Sequence, residues 1–238
     1  MNFGLPRRSN LVIADGEKGG VGKSFAQRAL AHTILARGND IVGFDADSRN
    51  AHLARYYAST IPVHRIYLRD RAGWNKLIDS IATLDHSTDV LLDLPANMGE
   101  VLAKEMSRLL LACQRSNRVV HRMWVMDSEY DSVAQLSSSQ DVIPLERTIV
   151  VKNGLFGEPE DFRIWEGSKI QAALKAAEGV ELHLPAMPPA LRSRISTAQC
   201  SFSDAANLPL TVSEKLDLEW WLSFSEAAFE PFLEKVGF

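Results

Sequence analysis

Lys18-Gly19-Gly20-Val21-Gly22-Lys23-Ser24, set close behind the apolar run Leu11-Val12-Ile13-Ala14, decides the reading of this chain. An apolar run, a glycine turn and a lysine-serine pair read as a strand, a tight loop and a helix start. That arrangement wraps backbone N–H groups around the phosphates of a nucleotide. Gly19, Gly20 and Gly22 permit backbone angles and close approaches that a side chain blocks. The nest of N–H donors and the positive end of the following helix favour a di- or triphosphate anion. Lys23 takes the place of a point charge beside the β- and γ-phosphates, and the Ser24 hydroxyl takes a place in a Mg²⁺ shell. Val21, inside the loop, and Phe25, just after it, join the nucleotide-contacting set. The ordinary pattern has a glycine five residues before Gly22; here Glu17 stands there, and a second lysine, Lys18, opens the loop.

Two further apolar runs end in acids. Ile41-Val42-Gly43-Phe44 leads into Asp45-Ala46-Asp47-Ser48, and Asp89-Val90-Leu91-Leu92 leads into Asp93-Leu94-Pro95. An aspartate at the carboxyl end of a central parallel strand can hold Mg²⁺ through water beside the phosphate loop, which is the reading for Asp93. For Asp45 a plain turn-capping role stands beside a functional one.

The lysine-first loop is the deviant Walker A motif, and with it the chain resembles the ParA/MinD family of dimerising ATPases. The resemblance is carried by residues 10–55 and 88–99, and holds only in outline elsewhere. It implies ATP and Mg²⁺ as cofactors, slow ATP hydrolysis, and a homodimer that closes when ATP is bound. Lys18 would then cross the dimer interface to the partner's nucleotide, supplying charge in trans as an arginine finger does. Lys18, Lys23 and Asp45 form the implied catalytic set, and Ser24, Asp45 and Asp93 the implied metal set. Asp45 matches the first acid of the family's Asp-x-Asp-Pro-Gln segment, which positions the Mg²⁺ shell and the attacking water; Ser48 and Arg49 depart from its proline and glutamine. Asp93 and Pro95 match the family's Asp-x-Pro. Asn153 occupies the place of an adenine-reading asparagine, with a turn-forming Asn153-Gly154 pair as the alternative. Pro188, within Pro185-Ala186-Met187-Pro188-Pro189, matches a proline-containing loop beside the base. The partition branch of the family implies a surface for DNA without sequence preference and a partner protein that stimulates hydrolysis. Plasmid or chromosome partition, or plasmid mobilisation and conjugal transfer, are the implied biological roles.

Strand and helix patterns alternate along the chain. The fold expected is therefore α/β: a single doubly wound domain over residues 1–238, with a mostly parallel sheet and helices on both faces. Helices are expected over Phe25 to Arg37, closed by Gly38, and over Asn50 to Tyr57, Trp74 to Leu84, Asn97 to Gln114 and Ala190 to Thr197. Strands are expected over Arg118 to Met126, Arg147 to Val151 and Val180 to Leu184. Ile61 to Leu68 reads as an edge strand, and Gly154 to Trp165 as a surface loop. Ser213 to Val236 reads as a helix that Pro231 kinks or splits, with Leu216, Trp220, Phe224 and Phe232 as its apolar surface packed on the body of the protein.

Composition is ordinary for a globular protein, with 46% hydrophobic and 24% charged residues. No apolar run approaches the roughly 20 residues that span a bilayer. Met1 to Asn10 carries Arg7 and Arg8 but too short an apolar core for a signal peptide, so the cytoplasm is the expected address. The acidic C-terminal helix, with Glu214, Asp217, Glu219, Glu226, Glu230 and Glu234 against Lys215 and Lys235, is unsuited to anionic lipid, so a membrane partner is not expected. Net charge is −4, so nucleic-acid binding requires a local patch. Arg65, Arg69 and Arg71, then Arg115, Arg118 and Arg122, then Arg192 and Arg194 are the candidates, with a solvated face as the alternative for each.

Two other activities use the same fold. A dethiobiotin-synthetase-like ligase requires acid-binding residues in a small-molecule pocket, and the sequence names no such set. An ATPase like the nitrogenase iron protein requires paired cysteines to bridge a cluster between subunits. Only Cys113 and Cys200 are present, and both read as packing residues in a reducing compartment.

Overall fold

The computed structural model describes residues 8–237. The start of the chain on which the signal-peptide reading rests, including Arg7, lies largely outside the described residues. In chain order the elements are β1 (Ser9–Asp15), α1 (Lys23–Ala36), β2 (Ile41–Asp45), α2 (His52–Tyr57), β3 (Val63–Arg65), α3 (Arg71–Thr83), β4 (Asp89–Asp93) and α4 (Gly99–Arg115). There follow β5 (Arg118–Met126), α5 (Tyr130–Ser138), β6 (Thr148–Asn153), α6 (Lys169–Ala176), β7 (Val180–Leu184), α7 (Pro189–Ala198) and α8 (Val212–Val236).

The strands form one seven-stranded sheet in the order β3-β2-β4-β1-β5-β6-β7. Every pairing is parallel, from the β2–β3 edge to the β6–β7 edge. Parallel strands are covered on both faces, and β1 and β4 are accordingly buried along their whole length. Side-chain alternation sorts the core. Val12 and Ala14 face one layer with Leu30, Trp221 and Phe229, from α1 and α8. Leu11 and Ile13 face the other with Trp74 and Met106, from α3 and α4. Trp124, Phe162 and Trp165 extend that second face under α5 and α6.

β1 lies between β4 and β5, so the chain winds to one side after β1 and to the other after β4. The loops following these central strands diverge there and open a crevice at the carboxyl edge of the sheet.

Several expectations change in detail. Gly154 to Trp165 is not a plain surface loop: Phe162 and Trp165 are buried core residues, and two short 3₁₀ turns, Gly154–Phe156 and Pro159–Asp161, bring them inward. α8 runs unbroken through Pro231. The ring removes the N–H that would bond the Ala227 carbonyl, yet Phe229, Phe232 and Leu233 pack on both sides of it and hold the helical path. Of the apolar surface expected on α8, Phe232 turns inward, joined by Leu218, Trp221 and Phe229, whereas Leu216, Trp220 and Phe224 are exposed. α5 and α6 are additional elements, both short, and α5 is serine-rich. Among the described residues, no helix is long and apolar enough to cross a membrane.

Candidate functional site

The glycine turn joins the end of β1 to α1 with Gly20 and Gly22 in the left-handed region, at φ 83° and 95°. Gly22 is required twice over. A Cβ there would stand 2.2 Å from the Asn153 Nδ2 atom, which donates to the Val21 carbonyl at 2.8 Å. The Asn153 Oδ1 atom accepts from the Leu155 N–H at 3.1 Å. The amide at the end of β6 thus braces the phosphate loop and its own turn, and it also lines the cavity over the loop.

Lys23 folds back over the loop, its Nζ donating to the carbonyls of Gly16 at 2.8 Å and Lys18 at 3.0 Å. Burial lowers its pKa from the ordinary lysine value, against the pull of Asp93 and Asp15. Glu17 explains its own departure from the glycine pattern. Its carboxylate lies against Gly99, the first residue of α4, where a Cβ would meet it at 1.9 Å and where helix N–H groups favour negative charge. Its carbonyl accepts from Asn97 N at 3.2 Å, tying the loop after β4 to the glycine turn.

Lys18 sits apart from the other loop lysine. Its Nζ donates to Asp127 Oδ2 at 2.6 Å, at the carboxyl end of β5. The hydrogen bond that it donates to Asp127 raises its pKa against the penalty of desolvation. Burial works to raise Asp127, but the bonds from Lys18 and Ser132 prevail and hold the carboxyl below its ordinary value. Sequence reasoning assigned Asp127 nothing; an acid closing a strand beside β1 was the available signal.

Asp93 and Asp45 end adjacent strands in register, β4 and β2. Asp93 is fully buried, and among the described residues neither carboxylate oxygen meets a hydrogen-bond partner. Burial first, then the neighbouring Asp45 charge, push its pKa up to about 7, against the pull of the Ser24 hydroxyl and Lys23. Asp45 is also raised by burial, although its oxygens accept from the N–H groups of Asp47 at 3.1 Å and Ala54 at 2.9 Å. The second contact caps α2, whose own N-cap residue, Ala51, has no side-chain acceptor. A buried carboxylate without donors, a second acid and a hydroxyl beside a phosphate loop suit a hard divalent cation such as Mg²⁺. The described residues offer no cage of three or more ligating side chains, and Mg²⁺ ordinarily completes its shell with water and phosphate oxygens.

A cavity of about 510 Å³ opens over the loop, lined by Gly19, Gly20, Gly22, Lys23, Ser24 and Phe25 and continuing to Asn153, Ala186 and Met187. Val21 is buried beneath the turn. Pro188 starts α7 as its N-cap, leaving Ala186 and Met187 as the part of its loop on the cavity wall. Arg28, His52, Tyr56 and Arg192 also line this cavity. Arg28, one helical turn after Ser24 on the inward side of α1, escaped the sequence reading; an arginine on that apolar face was its only signal.

One set of expected surface groups, the arginines of β5, is corrected, while Cys113 packs as expected. Arg118 and Arg122 are 4% and 2% exposed, bound into the core rather than offered to DNA. Arg122 Nε donates to Asp15 Oδ2 at 2.9 Å. Arg118 donates to the carbonyls of Ile81 and Asp85. Cys113 is buried on the inner side of α4, its thiol pushed up to about 12 by desolvation, so it offers no inter-subunit ligand.

A wholly parallel seven-stranded sheet, with a lysine-led glycine loop at the end of its central strand, is a doubly wound α/β fold of P-loop type, similar to that of ParA-like proteins. The chain is 26% identical over 227 residues to Protein MobD of Acidithiobacillus ferrooxidans, covering 93% of this chain and 96% of that one. Its fold matches the structure of a plasmid partition protein of Borrelia burgdorferi bound to AMPPNP, with TM-score 0.59 and 16% identity, over 96% of this chain and 100% of that one. The FtsY structure of Thermotoga maritima matches with TM-score 0.55 and 13% identity, over 92% of this chain and 70% of that one. No family model matches the chain.

Proposed function

We propose that this chain is a ParA-like ATPase, a single nucleotide-binding unit that pairs with a second copy when ATP and Mg²⁺ are bound and separates after slow hydrolysis. The observation that carries the reading is the position of Lys18: it opens the loop yet does not line the nucleotide cavity, and it meets a single carboxylate at the outer rim. A cation so placed serves a triphosphate approached from outside better than its own.

In this reading Lys23 and the loop N–H groups hold the phosphates, while Ser24, Asp45 and Asp93 hold Mg²⁺. When bound, the metal would neutralise the negative charge of the phosphates. Asp45, fixed by the Ala54 and Asp47 N–H groups, orients the attacking water. Asn153 keeps the loop in shape. The likeness to MobD and to a plasmid partition protein supports a cytoplasmic role in plasmid partition or mobilisation, with DNA and a stimulating protein as partners.

Size-exclusion chromatography with light scattering tests the reading, run without nucleotide, with ADP and with a non-hydrolysable ATP analogue, each with and without duplex DNA. A doubled mass confined to the ATP analogue supports it. A monomer under all conditions with the analogue demonstrably bound overturns it.

A carboxylate-activating ligase stands second, on one observation: Arg28 and Arg192 supply the cavity with the acid-binding groups that such chemistry needs. ATP turnover that rises on adding a carboxylate metabolite, with no change of mass, favours it.

A further inference from the structure

Beyond the phosphate loop the cavity continues between α1, α2 and α7, and this lobe has chemistry of its own. Arg28 is 6% exposed, and its guanidinium packs at 3.6 Å over the Tyr56 ring and 4.5 Å from the Phe202 ring. Among the described residues its Nε meets no hydrogen-bond partner and its guanidinium faces aromatic rings rather than a carboxylate at ion-pair distance. Aromatic faces favour the cation but satisfy none of its five N–H donors. Buried guanidinium groups are ordinarily matched by carboxylate or phosphate, because an unmatched one bears the full cost of lost hydration.

The surroundings do not supply that match. Arg192 on α7 and His52 on α2 line the same lobe, and Arg192 forms no ion pair among the described residues. Among the described residues the acid on the cavity wall is Asp47, one of whose oxygens accepts from the N–H groups of Arg49 and Asn50, each at 2.9 Å, and the charge of Asp93 acts on Arg28 without an ion pair. Tyr56 and Ser196, joined at 3.1 Å between hydroxyl oxygens, connect α2 to α7 across the lobe and add hydroxyl groups. Burial and the charges of Arg55 and Arg28 hold His52 below its ordinary pKa, so its ring is a neutral donor-acceptor at pH 7.

We propose that this lobe is a second anion site, in which Arg28 and Arg192 bind an oxyanion group, phosphate or carboxylate, while the glycine loop holds the 5′-phosphates of a nucleotide. The group can come from two sources: a further phosphate carried on the ribose of the same nucleotide, or a separate small anion. The proposal rests on the phosphate-loop reading only for the neighbouring lobe, not on hydrolysis or pairing.

Isothermal titration of the full chain with AMP, adenosine 2′,5′-bisphosphate and adenosine 3′,5′-bisphosphate tests the first source. Melting of the chain with citrate or inorganic phosphate, with and without saturating ADP, tests the second. The expected result is a tenfold or larger gain in affinity from a ribose phosphate, or a rise in melting temperature with a free anion that persists under ADP. Arg28→Met and Arg192→Gln should each abolish the gain, and Arg28→Lys should restore part of it. Arg192 is exposed, so its variant carries the test should Arg28→Met fail to fold. The proposal is overturned if no anion gives a gain in the parent, or if the gain survives in Arg192→Gln and in any folded Arg28→Met. ADP affinity, measured alongside, judges the phosphate-loop reading separately: a chain that ignores ADP yet gains from citrate refutes that reading and keeps this one.

Discussion

Lys18 and Asp127 form an ion pair of 2.6 Å across the rim of the nucleotide cavity, joining the first residue of the glycine turn to the residue that follows β5. Asp127 is nearly buried and further fixed by the Ser132 hydroxyl at 2.7 Å, whereas Lys18 keeps 39% of its side chain exposed. The anchored partner is therefore the acid, and the lysine is the member free to leave.

If Lys18 must leave this pair to reach another subunit's nucleotide, the pair opposes dimerisation. Asp127→Asn should then lower the ATP concentration needed for pairing severalfold, read by light scattering across an ATP titration. Lys18→Ala should bind ATP as the parent does and lose pairing or turnover, while Lys23→Ala should lose about tenfold or more in ATP affinity, as expected for a charge-assisted contact to phosphate. An Asp127→Asn chain that pairs no more readily than the parent would separate the ion pair from the switch.

Gly22 and Asn153 make a second testable couple. Gly22→Ala forces a side chain into a left-handed backbone, costing about 1–2 kcal/mol, and adds a clash with the Asn153 amide at 2.2 Å. Chemical denaturation should show a loss above the conformational term alone. Asn153→Ala in the Gly22→Ala background should recover the clash component and leave the backbone component. Strict additivity of the two substitutions would place the amide elsewhere.

Asp93 supplies a pH signature. Its folded pKa is raised to about 7 from 3.8, so between roughly pH 4 and 7 the folded state binds more protons than the unfolded chain. Stability therefore falls as pH rises through that window, by up to about 1.4 kcal/mol per pH unit for this one group. Asp45, raised in the same direction, adds to the slope. Thermal melts from pH 5 to 8 should show a decline in the parent that is shallower in Asp93→Asn. Mg²⁺ with ADP should restore the parent at pH 8 and leave the variant little changed. A parent and variant with parallel slopes would remove Asp93 from the account.

The regular elements were readable because their burial is written in apolar runs: β5 and β7 fall on the residues that the pattern selects, and the glycine turn fixes β1 and α1. What escaped has physical causes. Tyr130–Ser138 buries little beyond Ser132, Val133 and Leu136, too sparse a stripe to stand out. Phe162 and Trp165 are core residues in a segment of turn composition, where no periodicity reports burial. On α8 both faces are apolar, so spacing alone could not say that Trp221 packs inward and Trp220 outward. At the site, the loop and the acids Asp45 and Asp93 were legible because a glycine turn and acids closing apolar runs stand out in sequence. Asp127 and Arg28 were not, since their meaning lies in neighbours distant in sequence.

The arginines read as possible DNA contacts now divide by burial, and the division gives opposite expectations. Arg122 pairs with Asp15 in the core, so Arg122→Ala leaves a buried carboxylate unmatched and should cost about 3–5 kcal/mol of stability in chemical denaturation. Arg118, which holds the Ile81 and Asp85 carbonyls, should behave similarly. Arg65 and Arg69 are exposed at the β3 edge, and replacing both by alanine should change stability by no more than about 0.5 kcal/mol. If this edge contacts DNA, the double variant should bind duplex more weakly, and the slope of log affinity against log salt should fall by about two. Because the buried pair cannot reach a phosphate and the exposed pair does not hold the fold, a loss of DNA binding without a loss of stability points to the exposed pair. An unchanged slope in the Arg65/Arg69 variant would move any DNA-binding surface away from the β3 edge.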